Sequence, residues 1–408
     1  MKHEGERIQN NTETRKITFD DKESAHEIWA NSFGFRATKE GANSEIIDNT
    51  FGTFNNDNKL SACADFIISA YKFGKHIIKI AEIYRVATAL TERNKGYARK
   101  MIIDTLSCQE FAQCVFAWLK PTDSIIYENM GFTHALLLNK MTLQTSQLKK
   151  SSNSIRIIEL DKPDMIPESK IVEELKSVYE DFCLDYDIAK LRNESEWRNL
   201  MQFATSQSTN RIIGFQNDCG IIGGYLVFGV DRKDEKLLNV YEFFWREGAF
   251  LNSMFHFMQS LAKQFDKISL CLPDSFPIDY YVCDLVKIEI HRKSQGMFKI
   301  VNVTKALYLL KPPSSGDKAE VYIDDPNSVD NTGLYSVEWS NNMVCSVTKL
   351  NIERSKYFNR CSVDVLTKLL LIGYSKEVFK ISERSVTTLE ERMATCFQAS
   401  KSFKIGNS

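Results

Sequence analysis

The chain has 408 residues, room for two to four domains at about 100 to 200 residues each, and its 43% hydrophobic and 26% charged residues suit folded cores. Its 52 basic and 53 acidic residues leave a formal net charge of -1, so no global field draws it to nucleic acid or to an anionic membrane. The polar start MKHEGERIQNNTETRK, and the lack of any apolar run approaching about 18 residues, point to a cytoplasmic protein without a membrane span.

The ten cysteines are scattered without a C-x-x-C pair, and the six histidines show no H-E-x-x-H spacing. Reduced thiols and no metal site are the expectation. Two polar, turn-rich stretches, QTSQLKKSSNS at 144–154 and KPPSSGDK at 311–318, suggest a chain of three parts. In the first part KESAHEIWANSF has the spacing of an amphipathic helix, and SACADFIISAYKF and HIIKIAEIYRVAT read as strands. A helix starts at Gly96 with Tyr97, Met101 and Ile102 on one side, and CVFAWL, a short helix and the strand FTHALLLNKM follow. This is an α/β order.

The second part repeats strand, helix, strand in LLNVYEFFW, AFLNSMFHFMQSLAKQF and KISLCLP. The third part alternates the strands EVYIDD, LYSVEWS and MVCSVTKL with the helices VDVLTKLLLIG and TLEERMATCFQ, and carries no catalytic spacing of its own.

Between the second strand of the first part and the helix that follows it stands RNKGYARK, an R-x-x-G-x-A spacing. A glycine turn entering a helix binds phosphate through unpaired N–H groups and the positive end of the helix dipole. Gly96 lets the backbone come close, and Arg93 and Lys95 add charge. Alone, such a spacing also suits a solvated turn; the strand before it, the helix after it and the later segment SIIYENMGF make it more specific. The corresponding turn of the second part is REGAF, one residue short between Arg246 and Gly248, with Phe250 where the small residue belongs. It reads as a degenerate copy.

With these residues the chain resembles the GCN5-related N-acetyltransferases, whose R/Q-x-x-G-x-G/A turn holds the pyrophosphate of acetyl-CoA. Over most of its length it is similar to the enhanced intracellular survival (Eis) family. The resemblance is carried by VATALTERNKG, IIYENMGF, GGYLVFGVDRKDEKLLNVYE, HRKSQGMFKIVNVTKAL and DVLTKLLLIGY. It implies an α/β (α+β) fold of tandem acetyltransferase domains: an active one at 1–150, a degenerate one at 151–300 and a sterol-carrier-like domain at 301–408.

By the same resemblance acetyl-CoA is the co-substrate. The backbone of Val86 and Thr88 holds pantetheine, and Arg93, Asn94, Lys95, Gly96, Tyr97 and Ala98 surround the pyrophosphate. Thr122 takes the place of a small hydroxyl residue, and Tyr127 that of the general acid. The base is the C-terminal carboxylate of Ser408 or, as in other acetyltransferases, Glu82. The family prefers an aromatic last residue, which Ser408 is not. Trp29, Phe33 and Phe35 form either a substrate wall or core. The acceptor is a primary amine, as in an aminoglycoside, a polyamine or a lysine side chain, and the assembly a homo-hexamer. A non-catalytic acyl-CoA-binding or assembly protein is the alternative, since the second domain has lost its site.

Overall fold

The computed structural model describes residues 12–34, 48–150, 155–160, 169–206, 210–231, 233–273, 276–350, 360–373 and 396–397. In chain order the elements begin with β1 (Glu13–Lys16), α1 (Lys22–Phe33), β2 (Thr50–Phe54), β3 (Leu60–Phe73), β4 (His76–Thr88), α2 (Tyr97–Ser107), β5 (Phe116–Leu119), α3 (Ser124–Glu128), β6 (Thr133–His134) and β7 (Leu137–Gln144). Next come β8 (Arg156–Glu159), α4 (Lys170–Leu184), β9 (Ile188–Lys190), α5 (Glu194–Ser206), β10 (Asn210–Gln216), β11 (Ile222–Val230), β12 (Leu237–Trp245), α6 (Gly248–Ser260), β13 (Lys267–Leu272) and β14 (Glu289–Ser294). The last are β15 (Met297–Ile300), α7 (Val303–Leu307), β16 (Asp317–Asp324), β17 (Gly333–Ser340), β18 (Met343–Leu350), β19 (Arg360–Ser362) and α8 (Val363–Ile372).

They gather into two compact units: among the described residues, the first holds those up to 71, those of 76–135 and those from 296 onward, and the second those of 72–75 and 136–295. The main sheet of the first unit has the order β1-β2-β3-β4-β5-β15-β6. Its centre, β4 against β5, is parallel, and Ile80–Ile83 of β4 are all buried, as a strand covered on both faces requires. On this sheet α2 lays Met101 and Ile102 against Phe51, Phe66 and Phe111, whose rings meet edge to face at 5.5–5.7 Å. The same unit holds a second sheet, β18-β17-β16-β19, followed by α8, which buries seven of its residues.

The other unit has the order β14-β7-β13-β12-β11-β10-β8. Helices α4 and α5 supply one core cluster on it and α6 another. At its centre β12 and β13 are parallel over Leu237–Asn239 and Lys267–Ser269. Beyond that point β12 sends Phe243 and Trp245 into an aromatic cluster with Phe255 of α6 and with Phe276 and Tyr281 from beyond β13, where Phe255 stacks on Tyr281 at 4.2 Å.

The changes of unit fall at 135/136 and 295/296, whereas the expected domains divide at 150/151 and 300/301. The expected strand FTHALLLNKM is divided: Thr133–His134 stays with the first sheet, and Leu137–Gln144 pairs with β13 and β14 in the other. In exchange β15 enters the first sheet between β5 and β6. Backbone pairing, which leaves few buried N–H or C=O groups without partners, decides these borders, and linker polarity does not. Leu148, inside the supposed linker, is itself buried. The helix expected at TLEERMATCFQ lies almost wholly outside the described residues.

At the turn into α6, Gly248 takes no left-handed conformation, and a Cβ there would meet nothing within 4 Å. Phe250 is buried and lies against β11 so closely that a Cβ on Gly223 would come 2.1 Å from its ring. This residue is bulk in place of a cradle. Phe250→Ala is expected to cost about 3–5 kcal/mol of stability through the cavity it leaves, read as a lower midpoint in urea unfolding.

Candidate active site

The parallel pairing of β4 with β5 runs from Ile80↔Phe116 to Ile83↔Leu119 and stops there, while β4 continues through Tyr84–Thr88. The edge of β4 that faced β5 thus runs on past the end of its partner. Just beyond the parting, Arg85 sits at φ +51, in the left-handed region that a long side chain rarely takes. Three contacts hold it. Its guanidinium donates to the buried Asp65 at 2.5 Å and lies 3.9 Å from the centroid of Trp29, whose indole N–H donates to the Arg85 carbonyl at 2.8 Å. Thr50 Oγ1 donates to the other oxygen of Asp65 at 2.7 Å. Trp29 is therefore core and a brace for β4, Phe33 is 47% exposed, and Phe35 lies outside the described residues.

After a short 3-10 turn the chain reaches the glycine loop. Asn94 and Gly96 both have positive φ, +63 and +88, and Gly96 is the N-cap of α2. No side chain caps this helix and no acidic residue lies in its first turn, so its leading N–H groups and its dipole face outward. Arg93, Asn94, Lys95 and Gly96 are exposed, with Lys95 3.2 Å from Glu92. The residues present fit a phosphate group. Val86, Tyr97, Ala98 and Tyr127 pack against one and the same core cluster, so the structure brings the end of β4, the start of α2 and α3 together around it. Thr88 is half-buried at the end of β4.

Glu82 is 1% exposed and does not face solvent. Its carboxylate accepts from Ser69 at 3.0 Å, from Tyr84 at 3.0 Å and, through a very short bond, from the fully buried Tyr71. Trp118, its register partner on β5, packs edge to face on Tyr84 at 5.7 Å. Of these only Glu82 was marked in the sequence. The signal was nonetheless present: S-A-Y on β3 and E-I-Y on β4 are i, i+2 pairs, which a strand turns to one face.

Tyr127 is half-buried on α3, edge to face with Phe132 at 6.1 Å. Burial, aided by the charge of Asp123, pushes its phenol above the ordinary value of 10. Asp123 caps α3 by accepting from the Ile125 N–H at 3.0 Å, and Ser124 Oγ lies 2.9 Å from Nε2 of His134. His134 is a neighbour that motif spacing did not reveal. Thr122 is exposed just before the cap, and Ser408 lies outside the described residues. Among the described residues no group of His, Cys, Asp or Glu is arranged to hold a metal, and no helix is long and apolar enough to cross a membrane.

Residues 13–135 match the acetyltransferase (GNAT) domain family. No curated protein matches the chain. Among solved structures it is similar over nearly its whole length to a GCN5-related N-acetyltransferase from Anabaena variabilis, at 15% identity and a TM-score of 0.79, covering 97% of this chain and 99% of that one. A GCN5-related N-acetyltransferase from Kribbella flavida is similar at 14% identity and a TM-score of 0.76, covering 97% and 98%. Eis1 from Mycobacterium abscessus is similar at 15% identity and a TM-score of 0.72, covering 96% and 97%. At such identities the likeness is one of fold.

The raised phenol can be measured directly. An ultraviolet difference titration of the protein against Tyr127→Phe is expected to show one phenol with its midpoint above pH 10; a midpoint below pH 10 would contradict the burial account.

Proposed function

We propose, from the premise that this chain is a GNAT-type acetyltransferase of Eis-like fold, that it transfers the acetyl group of acetyl-CoA directly to a primary amine, using the first unit's parted strands as its site. The observation that carries the proposal is the ending of β5 beside an extended β4 that leads into an uncapped, positive-φ glycine turn. Pantetheine lies along Val86–Thr88, where β4 has outrun β5, and the pyrophosphate is held at Arg93–Ala98. There the N–H groups of α2 and two cations meet it. Thr122 closes the other side of the opening.

Transfer to an amine needs a polarised thioester carbonyl, an uncharged amine and a proton for the departing thiolate. The N–H groups of the β4 edge polarise the carbonyl. Tyr127 supplies the proton, and its raised pKa keeps the phenol in the acid form at neutral pH, with that role lost in alkaline solution as the phenol ionises. For the amine's proton two carboxylates compete. Glu82 already accepts from three hydroxyls, which occupy most of its acceptor capacity. We therefore assign the base to the C-terminal carboxylate of Ser408 and give Glu82 the task of orienting Tyr84. Aminoglycosides, polyamines and lysine side chains are the acceptor classes, and residues 301–408 are read as a sterol-carrier-like domain.

The direct test follows thiol release from acetyl-CoA against a panel holding an aminoglycoside, spermidine and a lysine peptide. Release stimulated by none of the amines would contradict amine transfer. Tyr127→Phe is expected to keep acetyl-CoA affinity and lose roughly 100-fold in turnover.

The cradle is tested separately by calorimetry with acetyl-CoA. Gly96→Val forces a β-branched residue to φ +88 and should abolish binding, whereas Gly248→Val meets open space and should leave it unchanged. Equal affinities in the two variants would remove the phosphate assignment. A C-terminal extension beyond Ser408 is expected to abolish turnover and Glu82→Gln to reduce it less. The reverse order would move the base to Glu82.

A further inference from the structure

Helix α3 is short, and its carbonyl end is held from elsewhere in the first unit. The buried Lys299 of β15 donates from Nζ to the Met130 carbonyl at 2.8 Å and to Asp325 at 3.1 Å. Asp325, just past the end of β16, is itself fixed: Asn331 Nδ2 donates to it at 3.1 Å, as does the Asn327 N–H at 3.0 Å. One residue earlier, the Asn129 carbonyl accepts from Arg99 at 3.1 Å and from Asn327 Nδ2 at 3.4 Å. Gly131, at φ +85, closes the segment, and a Cβ there would come 3.1 Å from Val363 and 3.3 Å from Lys299 Nζ.

We propose that Lys299, anchored by Asp325, is a positioning residue for Tyr127: it clamps the carbonyl end of α3 and so makes the placement of the phenol depend on the sheet formed by residues 317–350. The assignment rests on the general-acid reading of Tyr127. Two further observations support it. Cations at a helix C-terminus meet the negative end of its dipole, so Lys299 and Arg99 are placed to hold α3. Beside the pair lies a cavity of about 170 Å³, lined by Lys299, Asn327, Asn331, Ser107 and Tyr335, among others, into which a lysine released from Asp325 could turn. Burial, joined by the charge of Arg99, lowers the pKa of Lys299, and the carboxylate of Asp325 opposes that shift, so the ammonium depends on its partner.

The test uses the full chain carrying Lys299→Met together with Asp325→Leu, which leaves neither charge buried alone. The first readout needs no acceptor: the Tyr127 phenol, measured as the ultraviolet difference against Tyr127→Phe in each background. Its pKa is expected to fall back toward 10 as α3 loosens. The second readout is thiol release from acetyl-CoA with the panel amine that supports the fastest rate. Turnover is expected to drop roughly 10-fold with acetyl-CoA affinity unchanged, as for a displaced catalytic group, and to drop no further than Tyr127→Phe when the changes are combined. A folded variant with an unmoved phenol and full turnover, or losses that simply add, overturns the positioning role while the acid role stands. Full turnover in Tyr127→Phe alone overturns the acid reading, and the positioning role falls with it.

Discussion

A parallel strand pair that stops early organises the first unit. Four residues of β5 match four of β4, and then β4 goes on past the end of β5. A strand edge without a partner has N–H and C=O groups to satisfy, and these are the groups a thioester substrate can meet. What surrounds the opening keeps it in shape: the left-handed Arg85 pinned by Asp65 and Trp29, a glycine turn that leads the chain into α2, and α3 with its half-buried phenol. Each needs the parting to have a function, and none would be required by a sheet that simply continued.

The second unit shows the same strand, helix and strand order with different chemistry. There a carboxylate on the central strand, Glu242, is gripped at 2.6 and 3.1 Å by both arms of Arg192, which lies 4.1 Å from the Tyr179 ring, and Tyr225 adds a hydroxyl bond. A buried, forked ion pair is costly to break, of order 3–5 kcal/mol if one partner is lost. Glu82 in the first unit has hydroxyl partners that can rotate and exchange protons. One carboxylate is locked by an ion pair and the other held by hydroxyls, which accords with the proposed division between a scaffold and a reacting centre.

Much of this could be read from residues alone, because it is local. The runs HIIKIAEIYRVAT and LLNVYEFFW match β4 and β12 to the residue, and KESAHEIWANSF matches α1, since hydrophobic period and β-branching speak within a dozen positions. Gly96 announced its left-handed turn by its identity and neighbours. Pairing between distant segments was hidden. Nothing in MFKI says that it lies between β5 and β6, and nothing in LLLNKM says that it leaves them. Glu82 could be placed on a strand, but which face was buried depended on Ser69 and Tyr71 from another strand. The braces on α3 come from residues 299, 325 and 327, far along the chain, where no motif points to them.

The exchange of β7 for β15 also has a consequence in time. The first sheet cannot be completed from residues 1–135, because the strand between β5 and β6 is contributed only by residues 297–300. At about 5–20 residues per second of synthesis, the stretch 136–295 imposes a delay of roughly 8–30 s during which the edges of β5 and β6 stand open on the ribosome. The intervening unit, whose segment 136–295 emerges in one piece, can pair its strands as far as β13 during that interval, and its last strand, β14, appears just ahead of β15. Birth order therefore inverts chain order: the unit without the glycine cradle closes first, and the one that carries it waits for a strand made later.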